Sequence, residues 1–189
     1  MIQLKKSHRI LKLLYFPATR QATDYTCAEN VVQKVCEYYG DDYREMDLAK
    51  WMKADPNYGT DVENIIRFFE TRTDLKIAVK ENMTIPNLWN YLNRDIPVIL
   101  QIQAFADDPQ KYSRLWADGH FTVAVGFSRT AILFSDPAIY DIGYIKNKDL
   151  LERWHDKDGG IDGKRYHRLG IAVYGKEPKF NLRRIEAIP

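Results

Sequence analysis

Apolar residues recur at three- and four-residue spacing in one stretch near the N-terminus, a pattern typical of an amphipathic helix. The apolar stripe consists of Ala28, Val31, Val32, Val35, Cys36 and Tyr39. Thr26 precedes the stripe and Glu29 follows three residues later, which predicts a capping box at the helix start. Gly40 is suited to end the helix. Cys27 is therefore predicted at the first helical position, and Cys36 on the buried side.

The remaining pattern predicts mainly helices in the first half of the chain and mainly strands in the second. The predicted helices cover residues 46–52, 62–69, 86–92 and 148–155. The predicted strands cover residues 10–16, 75–79, 97–103, 120–127, 131–136, 140–145 and 170–174. A second capping box, Thr60 with Glu63, is expected to open the second of these helices. This order indicates an α+β fold, in which an antiparallel sheet packs on helices.

Two of the predicted strands form a hairpin that brings polar side chains together. If the turn is centred on Arg129, Thr122 faces Asp136 and His120 faces Ala138. His120 and Asp136 then share one face of the hairpin, within reach of a side-chain hydrogen bond. A different turn register would reverse this arrangement. The opposite face is expected to be core, with Phe121, Val123, Val125 and Phe127.

Composition limits the classes of function. The chain has 28 basic and 26 acidic residues, so its net charge of +2 provides no basic footprint for nucleic acid. Its 189 residues, 45% of them hydrophobic, predict a single domain over residues 1–189. No apolar run approaches the ~20 residues that span a bilayer, so we expect a cytoplasmic protein without a membrane segment. The oligomeric state is left open.

The two cysteines make a poor disulfide pair, because they lie on different faces of one helix. Their spacing does not resemble a zinc site either, so neither a metal nor an organic cofactor is expected. Further along, three aspartates next to glycines hint at a calcium loop: Asp156, Asp158 and Asp162. Their order does not match an EF-hand, and a plain turn is favoured. His155 is predicted to be exposed at a helix end.

Several of these residues are the parts that cysteine catalysis requires. Unpaired amides and the dipole at a helix start favour a thiolate, here on Cys27. An imidazole such as His120 needs an acidic partner such as Asp136 to fix its tautomer. Gln21, just upstream of the thiol, could donate to a developing oxyanion. Each residue alone is more often structural, but the four together point to nucleophilic catalysis. Tyr112 and Trp116, in the long connection before His120, are candidates to line a cleft.

The same residues carry a family resemblance. Gln21-x5-Cys27 at a helix start, followed by Gly119-His120-Phe-Thr-Val-Ala-Val-Gly-Phe and Phe134-Ser-Asp136-Pro137, resembles the C39 family of papain-like cysteine peptidases. The similarity covers roughly residues 17–175. It implies a papain-like fold, with a helical N-terminal lobe (about 17–95) that carries the nucleophile, packed on a C-terminal antiparallel sheet lobe (about 96–176).

The resemblance also implies a role for each of the four residues. Cys27 would be the nucleophile, His120 the general base and acid, and Asp136 the acid that orients the imidazole. The Gln21 amide, with the backbone amide of Cys27, would form the oxyanion hole.

Two features depart from the family pattern. The family commonly has Asp-Cys-Gly around the nucleophile, whereas this chain has Thr26-Cys27-Ala28-Glu29, which brings a negative charge within a turn of the thiolate. The best-known members are domains of bacteriocin exporters that cut leader peptides after a double glycine. This chain shows no transmembrane or ATPase portion, so that specificity does not carry over.

The sequence therefore predicts a cysteine peptidase or related amide hydrolase that acts on a peptide or protein through a Cys27 acyl-enzyme. Two alternatives stay open. An acyltransferase would use the same residues, with an amine or thiol in place of water. A catalytically silent papain-like binding module would need none of the four groups.

Overall fold

The computed structural model describes residues 9–106, 109–159 and 163–180 of the chain. Its α-helices are α1 (Cys27–Tyr39), α2 (Glu45–Trp51), α3 (Val62–Arg72), α4 (Ile85–Asn93) and α5 (Asn147–Arg153). Its strands are β1 (Ile10–Leu13), β2 (Lys76–Lys80), β3 (Val98–Gln103), β4 (Gly119–Ser128), β5 (Ala131–Ser135), β6 (Ile142–Lys146), β7 (His155–Lys157), β8 (Arg165–His167) and β9 (Gly170–Tyr174). A 3₁₀ helix spans Pro109–Arg114. The predicted α+β class is confirmed.

The strands β2-β9-β3-β4-β5-β6 form one sheet in that order, with every neighbouring pair antiparallel. β1 joins the same sheet by pairing with the end of β4. β7 and β8 form a separate two-stranded sheet that the sequence did not predict. Because His155 enters β7, α5 ends at Arg153, two residues earlier than predicted.

Helix α1 begins at Cys27 and buries the predicted apolar stripe, because that stripe packs against β4 and α2. Gly40 follows the helix with φ of +90°, a left-handed conformation that glycine adopts without steric cost. Every residue of β3 and β5 is buried, as are all residues of β4 after Gly119. The central strands therefore supply the sheet side of the core.

Both predicted capping boxes are wrong, because tertiary partners take the side chains concerned. The Thr26 hydroxyl donates to Glu45 Oε1 at 2.5 Å instead of capping α1. The Thr60 hydroxyl donates to Glu29 Oε1 at 2.5 Å, and α3 begins two residues later, at Val62. The observed capping box is at α4, where Thr84 and Asn87 bond reciprocally.

The hairpin of β4 and β5 contains a β-bulge that the predicted register did not include. Near the turn, Gly126 pairs with Leu133, one residue away from the predicted partner. The irregularity at Val125 restores the predicted register further on, where Val123 pairs with Ser135. The prediction therefore fails near the turn and holds at the end that carries His120 and Asp136.

Candidate active site

Cys27 is the first residue of α1 and is partly exposed. Its side chain lies close enough to the imidazole of His120, near the start of β4, to raise the pKa of that imidazole. The thiol comes from the helical half of the chain and the imidazole from the sheet half. Packing α1 against β4 is what brings the two together.

Asp136 follows β5 directly and contacts the same imidazole. His120 Nε2 lies 3.1 Å from Asp136 Oδ1 and 3.0 Å from Oδ2. The backbone amide of Ala138 donates to Oδ1 at 2.8 Å and fixes the carboxylate. Because Nε2 faces Asp136, Nδ1 is the ring nitrogen left for the Cys27 sulfur. The structure thus brings three of the four predicted residues, Cys27, His120 and Asp136, into one group.

The surroundings shift the pKa values of the imidazole and the carboxyl in opposite directions. Burial lowers the pKa of His120, but the hydrogen bonds to Asp136 and Cys27, and the charges of both groups, outweigh it and raise that pKa to about 9. Burial acts to raise the pKa of Asp136, but the hydrogen bond and charge of His120 outweigh it, so the pKa falls below its ordinary value. At neutral pH the pair is an imidazolium beside a carboxylate.

These pKa shifts define the pH range in which the His120–Asp136 pair stabilises the fold. A raised folded-state pKa means that the His120 contribution is complete below its unfolded value of ~6.5 and is lost as pH rises through about 9. A lowered folded-state pKa means that the Asp136 contribution is present above its unfolded value of ~3.9 and is lost as pH falls through the folded value. Both contributions are therefore complete only between pH ~3.9 and pH ~6.5, the two unfolded-state pKa values.

Asp136→Asn is expected to lower the pKa of His120 from about 9 toward 6.5. The substitution removes the carboxylate charge, while the burial that lowers this pKa remains. The measurement is an NMR titration of the imidazole carbon-bound protons. His155 is the internal control, because burial lowers its pKa and its ring bonds to the Leu115 carbonyl rather than to Asp136. An unchanged His120 titration would contradict this account of the pair.

Gln21 lies on the loop before α1, and the structure places it beside the loop of Asp136. Its backbone amide donates to the Pro137 carbonyl at 3.0 Å. Its side-chain Nε2 donates to the Thr23 carbonyl at 2.7 Å, which uses one of the two amide hydrogens. Its Oε1 is buried without a hydrogen-bond partner among the described residues. One amide hydrogen therefore remains for another acceptor.

Glu45, at the start of α2, organises the loop around Gln21, and the sequence reasoning missed it. Its Oε1 accepts from the backbone amide of Ala22 at 2.7 Å and from the Thr26 hydroxyl at 2.5 Å. Its Oε2 accepts from Asn30 Nδ2 at 3.0 Å. The carboxylate thus ties the loop to the first turn of α1. Local sequence has no signal for this role, because Glu45 matches an ordinary acidic residue in the first turn of a helix.

Lys34 is a second residue that the sequence reasoning missed. It is fully buried on α1, and its Nζ lies 3.4 Å from the Ser135 carbonyl and 3.3 Å from the Ser135 hydroxyl. Burial lowers its pKa to about 8, against the opposing influence of Asp136 and Glu45. Its position seven residues after Cys27 puts it on the same helix face. The apolar stripe predicted for α1 does not include position 34, so the sequence pattern carried no signal for the burial of this lysine.

Glu29, the departure from the family pattern, is also buried. Burial raises its pKa although the Thr60 hydroxyl donates to it. The residue that departs from the family pattern is therefore held inside the protein by the Thr60 hydroxyl.

A cleft of about 440 Å³ opens beside Cys27. The lining residues from the first half of the chain are Asp24, Tyr25 and residues 56–60. Those from the second half are Gln101, residues 116–117, Gly119, Phe121 and residues 156–159. Trp116 therefore lines the cleft, as predicted. Tyr112 is not among the lining residues; the Arg153 Cζ atom lies over its ring, 3.9 Å from the ring centroid. The cleft reaches the thiol and is bounded by both halves of the chain.

The other candidates are not part of the group formed by Cys27, His120 and Asp136. His155 is buried in β7, which corrects the prediction of an exposed helix end, and its ring packs against Trp116. Asp156 and Asp158 are also buried, whereas Asp162 lies outside the described residues. In the described part of the chain, no group of three or more His, Cys, Asp or Glu side chains could hold a metal ion.

Comparisons with known proteins agree with this architecture. A family model described as the Peptidase_C39 like family matches residues 13–158. No curated protein sequence matches the chain. Across the described residues, no helix is both long and apolar enough to cross a membrane.

Several solved structures share the fold. A C39-like peptidase from Bacillus anthracis has a TM-score of 0.67 and 16% identity, covering 89% of this chain and 98% of that chain. The peptidase domain of Streptococcus ComA, a bi-functional ABC transporter of a quorum-sensing pathway, has a TM-score of 0.62 and 15% identity, covering 87% and 98%. A double glycine motif protease from an AMS/PCAT transporter, in complex with the leader peptide, has a TM-score of 0.61 and 13% identity, covering 89% and 96%. The predicted papain-like fold is confirmed.

Proposed function

The chain belongs to the Peptidase_C39 like family, and on this premise we propose that it is a cysteine peptidase that works through an acyl-enzyme on Cys27. The observation that carries the proposal is the grouping of three side chains. His120 Nε2 lies 3.0 Å from Asp136 Oδ2, and the Cys27 side chain is close enough to the same imidazole to raise its pKa. A nucleophile, a base and an orienting acid in that order are the working parts of covalent acyl transfer.

In the proposed reaction, the Cys27 thiolate attacks the carbonyl carbon of a peptide bond, while His120 holds the proton as imidazolium. The raised pKa of His120, about 9, favours this charged form at neutral pH. The tetrahedral intermediate carries an oxyanion, to which the remaining Gln21 amide hydrogen and the Cys27 backbone amide donate.

The carbon–nitrogen bond then breaks as His120 gives its proton to the leaving amine, and a thioester on Cys27 remains. Water attacks the thioester, His120 takes the water proton, and the carbon–sulfur bond breaks. The products are the free acid and the original thiolate–imidazolium pair. Asp136 keeps the imidazole oriented throughout, and it remains ionised because its pKa is lowered.

A peptide or protein is the proposed substrate. One structural neighbour was solved with its leader peptide, and the cleft beside Cys27 is bounded by both halves of the chain, as an extended peptide would require. The proposal does not include a double-glycine requirement. The cytoplasmic location and the absence of a nucleic-acid partner stay predictions.

The proposal predicts that iodoacetamide alkylates Cys27 much faster than Cys36 at neutral pH. Cys27 is partly exposed beside an imidazolium, whereas Cys36 is fully buried, and burial strongly raises its pKa. The measurement is intact-mass spectrometry followed by peptide mapping. The matched control is Cys27→Ala, which should leave only the slow reaction. Equal rates at the two thiols would contradict the assignment.

The same preparation, incubated with a peptide library, should accumulate a thioester adduct on Cys27 alongside cleaved products. An added amine that ends up in the products instead of water would identify acyl transfer. A fast-reacting Cys27 without any turnover would favour the binding module.

A further inference from the structure

The cleft beside Cys27 is lined by more negative than positive side chains. The carboxylates are Asp24, Asp156 and Asp158, and the single ammonium among the described lining residues is Lys157. Asp24 is exposed, whereas Asp156 and Asp158 are buried in the wall. Negative charges grouped around a cavity with buried walls attract a cation more strongly than the same charges on an open surface.

The side-chain oxygen of Gln101 is a further hydrogen-bond acceptor in the cleft wall, and no described residue donates to it. Its side chain is 3% exposed and lines the cleft. Its Nε2 donates to Asp158 Oδ1 at 3.5 Å, which assigns Oε1 as the acceptor. That Oε1 is buried without a hydrogen-bond partner among the described residues. An unsatisfied buried acceptor is costly, and an incoming N–H donor would remove the cost.

Asp156 is placed next to the residue that precedes the imidazole. A Cβ atom at Gly119 would lie 2.1 Å from Asp156 Oδ2, so the glycine allows the carboxylate to lie against the β4 backbone. Gln103 Nε2 donates to the other oxygen, Oδ1, at 2.7 Å. Burial raises the pKa of Asp156 to about 7 and that of Asp158 to about 6. A bound cation would offset this cost of ionisation.

The remaining surfaces suit a long aliphatic side chain. Tyr58 and Phe121 line the same cleft and offer apolar area. Lysine and arginine bury their methylene groups on such surfaces while their charged ends reach polar partners.

We propose that this cleft is a specificity subsite for a basic side chain, lysine or arginine, of the peptide substrate, with Asp156 and the Gln101 Oε1 as its principal acceptors. The inference rests on the proposed peptidase function and adds the substrate class. The cleft adjoins Cys27, so the basic residue would lie near the bond that is cut.

The test is a synthetic library of N-acetylated peptides in which lysine, arginine or norleucine occupies each position in turn. Norleucine matches the length of lysine without its charge. At one fixed position, the wild type should cleave basic peptides about tenfold faster, by kcat/KM, than the norleucine peptides. Asp156→Asn should remove this ratio, because the variant lacks the carboxylate charge that favours a basic side chain over norleucine.

Lys157→Gln is the matched control with the opposite sign, because it removes the positive charge from the same wall. It should preserve or increase the preference for basic residues. If Asp156→Asn does not fold, as judged by its thermal transition, Asp24→Asn at the exposed rim should reduce the ratio in its place.

Protection of Cys27 from iodoacetamide provides a readout that needs no turnover. Nα-acetyl-lysine amide should protect at about tenfold lower concentration than Nα-acetyl-norleucine amide, and Asp156→Asn should equalise the two. Equal protection by both probes in the wild type would overturn the subsite. This holds even if no peptide is cleaved, in which case the peptidase proposal fails separately.

Cleavage without any basic preference would overturn the subsite and leave the peptidase proposal standing. A second library with free N-termini separates the two sources of a cation. A preference that appears only with free N-termini would assign the cleft to the terminal ammonium and overturn the side-chain proposal.

Discussion

Cys27→Ala is expected to abolish peptide turnover while the protein stays folded. Without the thiol no thioester can form, so the covalent route is lost and only the small residual rate supported by binding and the oxyanion donors should remain. The cost to stability should be small, because Cys27 is partly exposed at the end of a helix. The measurements are kcat/KM with the best library peptide and a thermal unfolding curve on the same preparation.

Cys36→Ala is the matched control on the same helix. Cys36 is fully buried in the core, so its truncation should cost about 1 kcal/mol of unfolding free energy and leave turnover largely intact. The reverse pattern, with activity lost at Cys36 and retained at Cys27, would show that the nucleophile has been assigned to the wrong residue.

Gln21→Ala is expected to lower kcat by roughly a hundred- to a thousandfold with a much smaller change in KM. An oxyanion donor acts on charge that develops only in the transition state, and loss of one such donor costs ~2.7–4 kcal/mol. The loop itself should survive, because its contacts to Pro137 and Glu45 use the backbone amides of Gln21 and Ala22. Steady-state kinetics on the folded variant measure the effect.

Iodoacetamide alkylation of Cys27 separates this role from a structural one. Alkylation develops no tetrahedral oxyanion, so its rate should change little in Gln21→Ala. Gln21→Glu is the isosteric control, since it keeps the side-chain size and removes the amide donor, and it should lose kcat similarly. Turnover and alkylation falling by the same factor would indicate a displaced loop and would remove the oxyanion role.

Much of the fold could be predicted because it depends on local pattern. The periodicity of α1 and the glycine after it predicted the extent of the helix, and its start at Cys27 was predicted correctly although the Thr26 side chain does not cap it. The hairpin register was predicted correctly at the end that carries His120 and Asp136, but only because of a feature that the sequence did not predict. The β-bulge at Val125 restored the register that a simple turn at Arg129 had implied.

Predictions about polar side chains were less successful where those side chains had a choice of partner. Thr26 and Thr60 both match capping residues in sequence, yet both donate to buried glutamates. A hydroxyl bonds to whichever strong acceptor the folded chain brings near. In a cap the hydroxyl oxygen accepts from a backbone N–H, whereas here each hydroxyl donates to a carboxylate 19 or 31 residues away in sequence, and this charge-assisted bond sets the side-chain orientation.

The sequence by itself determined the order of the helices and of every strand except β7 and β8, the extent of α1 and the shared face of His120 and Asp136, because these follow from spacing along one segment. Only the tertiary structure decided that α1 packs against β4, that Glu45 holds the loop of Gln21, and that Asp156 and Gln101 line a cleft beside the thiol. Each of these contacts joins segments far apart in the chain. Such contacts form when separate apolar faces are buried together, and no local pattern encodes which polar groups that burial brings near one another.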